Sequence, residues 1–120
     1  PGLLLLTFSG EAPGITMDLR GIKLMPTGPF RVCFDLKTTT AGTGEIFFTT
    51  DGRTVLPKGE NLKFPIKGSE DAQPVRVDLN TKERLYQLRI DVSDGEGAAE
   101  IANLRLLSRG GEVIKDWTGK

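Results

Sequence analysis

The chain has 120 residues, 16 basic and 16 acidic side chains, no histidine and a single cysteine. One domain of this length hides about 65% of the surface its extended chain would expose, so it can hold a core without disulfide or metal support. A net charge of zero argues against a nucleic-acid module, whose footprint is basic, and against an anionic membrane surface.

One cysteine, Cys33, excludes an internal disulfide and leaves the compartment open. LLLL at Leu3 to Leu6 is too short to span a bilayer, and no signal peptide is present. The chain starts at Pro1 without a methionine, which reads as a piece excised from a longer protein. Residues 1–120 read as a single domain, with 1–14 either a linker or an edge strand.

Pro1 to Phe8 is apolar without alternation, as in a strand buried on both faces or a remnant of an inter-domain segment. SGEAPG turns the chain at Ser9 to Gly14. ITMDLRGIKLM, Ile15 to Met25, alternates as a strand with a bulge expected at Gly21. FRVCFDLK, Phe30 to Lys37, alternates most cleanly: Phe30, Val32, Phe34 and Leu36 face inward, with Arg31, Cys33, Asp35 and Lys37 opposite. EIFFTT, Glu45 to Thr50, sets Ile46 and Phe48 against Phe47, and DGR at Asp51 to Arg53 predicts a tight hairpin turn. Thr54 to Asn61 reads as a short edge segment and loop, broken by Pro57.

LKFPI, Leu62 to Ile66, carries the edge signal of Pro65. VRVDL, Val75 to Leu79, alternates, and one weak helical turn is expected near Thr81 to Arg84. LYQLRIDV alternates Tyr86, Leu88, Ile90 and Val92 against Gln87, Arg89 and Asp91. After SDGEG, the strand AAEIANLRLL shifts phase between Ile101 and Leu104, which predicts a bulge. Gly110-Gly111 then turns the chain into EVIKDW, which ends in the only tryptophan, Trp117. Eight to ten short strands with frequent Gly and Pro predict an all-β, antiparallel, jelly-roll-like β-sandwich.

The absence of histidine removes Ser-His-Asp and Cys-His nucleophiles, and with one cysteine it removes zinc. AGTGEIFF opens a strand and cannot serve as a phosphate-cradling loop. The carboxylates Asp91 with Asp94, or Glu96 with Glu100, read as solvated turn residues in preference to a catalytic pair. Cys33 reads as structural and unreactive, since nothing basic or helical near it in sequence lowers its pKa. SDGEG offers oxygens in a turn, and Asp94, Glu96, Glu100 and Asn103 are the candidate ligands for a structural calcium, against the plainer reading of an ordinary turn. Phe47 falls on the opposite face from its neighbours. With Thr49, Asp51 and Arg53 it forms the candidate ligand-binding cluster of a concave face, against the plainer reading of a hairpin tip. An Arg–Asp set of this kind can bind vicinal hydroxyls, a sulfate or a carboxylate.

The segment order GPFRVCFDLKTTTAGTGEIFFTT, then VRVDL, then LYQLRIDVSDGEGAAEIANLRLLSRGGEVIKDW resembles the accessory β-sandwich domains of bacterial carbohydrate-active enzymes. These are of the galactose-binding-domain-like, carbohydrate-binding-module type, and the similarity is greatest to modules appended to secreted sulfatases. It covers Gly28 to Trp117. The chain departs from the pattern at Phe47-Phe48, where such modules carry Trp or Tyr, and at Asn103, where an acidic residue is frequent. No sulfatase nucleophile motif is present, since FDLK follows Cys33. The resemblance implies a non-catalytic accessory module, extracellular or periplasmic, that binds carbohydrate for a larger exported enzyme. The alternative is a structural module that packs on the catalytic domain of the parent chain through Leu3 to Leu6 and Trp117, with no glycan affinity.

Overall fold

The structure, a computed structural model, describes residues 6–8, 14–22, 25–38, 41–51, 60–68, 71–91 and 99–117. Nine strands are present: β1 (Leu6–Phe8), β2 (Gly14–Asp18), β3 (Phe30–Thr38), β4 (Gly42–Thr49), β5 (Glu60–Ile66), β6 (Gln73–Leu79), β7 (Gln87–Asp91), β8 (Ala99–Leu107) and β9 (Val113–Asp116). They form two antiparallel sheets and no helix among the described residues. The first sheet runs β1-β8-β3-β6, with β9 also on β8; the second runs β2-β7-β4-β5. This is the all-β sandwich that the alternation predicts.

The core is the inward phase of each strand. Val32, Leu36, Ile46, Leu79, Leu88, Ile90, Ile101, Leu104 and Leu106 are wholly buried between the sheets. Phe34 from the first sheet meets Phe64 from the second edge-to-face, with centroids 5.8 Å apart at 76°, an arrangement aromatic pairs favour. Gly44 lies directly under that contact, and a Cβ there would overlap the Phe64 ring. Its lack of a side chain is therefore a packing requirement of the sandwich.

The bulge expected in β8 is present. Cys33 pairs with Arg105 but Asp35 pairs with Ala102, so β8 carries one extra residue opposite Phe34. Asn103 absorbs it at φ 58, a left-handed conformation that Asn tolerates better than most residues. Its amide donates to Asp35 Oδ2 at 2.7 Å. The Gly110-Gly111 turn also forms: Gly111 N donates to Ser108 O at 3.0 Å, with Gly111 at φ 85.

Other expectations are corrected. The Ile15–Met25 strand stops at Asp18, and the chain turns at Arg20-Gly21, where Ile22 N donates back to Leu19 O. Gly21 sits in a turn, not a bulge. β4 pairs with β5 with Phe48 opposite Glu60, and of the turn expected at Asp51 to Arg53, Gly52 and Arg53 lie outside the described residues. Thr81 to Arg84 is a bend, with Glu83 N donating to Thr81 Oγ1 at 3.1 Å. Trp117, by contrast, caps the core as its place near the end of the chain allows, half-buried against it. Leu3 to Leu5 lie outside the described residues.

Candidate functional site

The outward phase of the second sheet assembles a continuous polar face. Register places Thr16 of β2, Arg89 of β7, Phe47 of β4 and Asn61 of β5 in one row across all four strands. The row spans roughly 14 Å at the ~4.8 Å spacing of neighbouring strands. On one side of it lie Asp91, Glu45 and Lys63; on the other lie Asp18, Gln87 and Thr49.

Phe47 is half-buried at the centre, and the Arg89 guanidinium lies 5.9 Å from its ring centroid, within cation–π range. Arg89 Nε also donates to Asp91 Oδ1 at 2.8 Å. The side chains of this ion pair are 28% and 18% exposed, against about half for the other two pairs among the described residues. The guanidinium is thus fixed from two directions. Asn61 Nδ2 donates to Glu45 Oε2. At the far end, Arg20 grips Asp18 with Nε on Oδ1 at 2.9 Å and a terminal nitrogen on Oδ2 at 2.7 Å. That fork, joined by Arg20 N, holds the Asp18 carboxyl down at about 2.

Of the predicted ligand-binding cluster, the structure brings Phe47 and Thr49 onto this face. Thr49 is 1% exposed, and its Oγ1 is the one buried side-chain polar atom without a hydrogen-bond partner among the described residues. Asp51 is exposed, two residues beyond the end of β4. Arg53 lies outside the described residues. Sequence reasoning missed Arg89, Asn61, Glu45 and Gln87. Gln87, Arg89 and Asp91 were legible as a wet face by alternation, but only the register places them beside Phe47.

Of the predicted calcium ligands, Asp94 and Glu96 lie outside the described residues. Glu100 is opposite Lys37, and the Asn103 amide is bonded to Asp35. Among the described residues no three acidic or cysteine side chains gather closely enough to hold a metal ion. Of the paired carboxylates, Asp91 is held by Arg89. Cys33 is free and buried on the outer phase of β3, and register sets Arg76 of β6 and Arg105 of β8 on either side of it, neighbours that its own segment does not reveal.

The first sheet carries a different feature at one end. Pro29, Phe30, Arg31, Asp78, Asn80, Leu107, Ser108, Arg109 and Gly111 line a half-open cleft of about 180 Å3. Arg31 Nε donates to Asp78 Oδ1 across it at 2.7 Å.

No known protein family matches the chain, and no curated protein matches it. Solved structures do. The carbohydrate-binding module of PbXyn10C superposes with a TM-score of 0.64 at 16% identity, over 94% of this chain and 71% of that one. A point mutant of a family 29 carbohydrate-binding module matches with a TM-score of 0.56 at 13% identity, over 85% of this chain and 68% of that one. A bacteriophage CBA120 tailspike matches with a TM-score of 0.52 at 14% identity, over 93% of this chain but 19% of that one. The chain therefore folds as a β-sandwich of the kind found in carbohydrate-binding modules.

Proposed function

We propose that this chain is a non-catalytic carbohydrate-binding module that takes its glycan on the outer face of the second sheet. The reading is carried by the row Thr16–Arg89–Phe47–Asn61, in which a half-buried ring is held under a guanidinium and bordered by amides and carboxylates. A pyranose has a face of C–H bonds and a rim of hydroxyls. Phe47 offers the apolar contact, and Arg89, Asp91, Gln87, Asn61 and Glu45 offer donors and acceptors for the rim. Charges on the face balance: Asp18 with Arg20, Asp91 with Arg89, and Glu45 opposite Lys63. The face therefore suits a neutral oligosaccharide lying across the strands.

The modules that share this fold support the same reading. The sequence resemblance extends it: the parent is an exported bacterial sulfatase or other glycan-degrading enzyme, which the module holds on its substrate. Electrophoresis through gels containing xylan, glucomannan or β-galactan tests the binding face. At least one polysaccharide retards the native chain, while Phe47→Ala and Arg89→Ala migrate as in a sugar-free gel with unchanged circular dichroism. If no neutral polysaccharide retards the native chain, the reading fails.

A further inference from the structure

The cleft on the first sheet is chemically unlike the face of the second. Asp78 of β6, Arg31 of β3 and Leu107 of β8 stand side by side by register, and Val113 of β9 follows Leu107. Arg109 reaches the same cleft from the tip of the β8–β9 turn. Three hydrogen bonds set that turn: Ser108 N to Glu112 O at 2.8 Å, Gly111 N to Ser108 O at 3.0 Å, and Glu112 N to Ser108 Oγ at 3.3 Å.

The lining carries two guanidiniums against one carboxylate. Arg31 donates to Asp78 Oδ1 through Nε, and a guanidinium carries further N–H donors on its two terminal nitrogens, as a carboxylate carries a second acceptor oxygen. Neither Arg109 nor Asn80 has a partner among the described residues. Pro29 and Leu107 add a half-buried apolar patch. A volume of about 180 Å3 lies below the ~300–1,000 Å3 of pockets for drug-sized ligands, so the fitting ligand is a single small ring.

We propose that this cleft is a second binding site, for one carboxylate-bearing sugar unit. The carboxylate sits between Arg31 and Arg109, where planar guanidinium forks match its geometry. The ring hydroxyls bond to the second oxygen of Asp78 and to the Asn80 amide, and the C–H face of the ring covers Pro29 and Leu107. The site does not depend on the second sheet: a chain that failed to bind neutral glycans would still carry it.

The test is titration of the native chain with glucuronate and galacturonate, followed by amide resonances, with glucose, galactose and acetate as controls. Millimolar uronate is expected to shift the amides of Arg31, Asn80, Ser108 and Arg109. Glucose and galactose shift them far less, and acetate binds at least tenfold more weakly. Arg109→Gln, in an exposed turn where folding is undisturbed, weakens uronate binding about tenfold, a change of ~1.4 kcal/mol. Phe47→Ala leaves it unchanged. The proposal is overturned if uronate moves none of these amides, if acetate matches uronate, if neutral sugars match it, or if Arg109→Gln binds as well as the native chain.

Discussion

The two outer faces of the sandwich use the same pair of residue types in opposite ways. On the second sheet, Arg89 and Asp91 lie on one strand with Phe47 alongside, and the ring shields the pair until less than a third of either side chain is exposed. On the first sheet, Arg31 and Asp78 join neighbouring strands, and about half of each side chain remains in water. Shielding fixes the first pair and strengthens its field, because the local dielectric falls. The open pair is screened by water and shares its cleft with an extra cation, Arg109. One face is built as a charge-balanced platform and the other as a small, net-positive notch.

The largest expected effect separates the faces by function. Phe47→Ala abolishes polysaccharide retardation, whereas Arg31→Ala leaves it unchanged; equal loss in both would erase the distinction. Next comes the packing that holds the faces apart. Gly44→Ala forces the Phe64 ring away from Phe34 and costs about 1–3 kcal/mol of overpacking, read as a lower midpoint in urea with an unchanged slope. A neutral outcome would mean the two sheets repack freely at that point.

A smaller effect compares the ion pairs directly. Arg89→Gln leaves Asp91 partly buried without its cation and lowers stability by about 1 kcal/mol. Arg31→Gln, on the open pair, leaves the urea midpoint where it was. The smallest effect is a pH dependence. The Asp18 carboxyl is lowered from 3.8 to about 2 by Arg20, so its contribution to stability is present above about pH 4 and is lost as pH falls through 2. The difference in urea midpoint between the native chain and Arg20→Gln therefore shrinks toward zero between those values. A constant difference would place the pair's effect elsewhere.

The fold was legible because two-residue alternation reports directly on a half-buried strand. FRVCFDLK and LYQLRID fixed their own inward faces, and the phase break at Ile101 to Leu104 located the β8 bulge, which lies opposite Phe34. The candidate site was legible only in part. Phe47 stood out because it breaks the apolar phase of β4. By alternation alone Arg89 reads as any solvated charge, and only the place of β7 between β2 and β4 sets it in the row. Pairing of β4 with β7, which sets Phe47 opposite Arg89, is a long-range choice that composition does not encode. The same reason hid the neighbours of Cys33, since register brings Arg76 and Arg105 beside it from distant strands.

The most direct measurement of the central claim is chemical-shift mapping of the native chain with an oligosaccharide of whichever neutral polysaccharide retards it. Shifts are predicted at Thr16, Phe47, Asn61, Gln87 and Arg89, with the cleft residues Arg31 and Asn80 unmoved. Shifts centred on the first sheet, with Phe47 and Arg89 silent, would contradict the account.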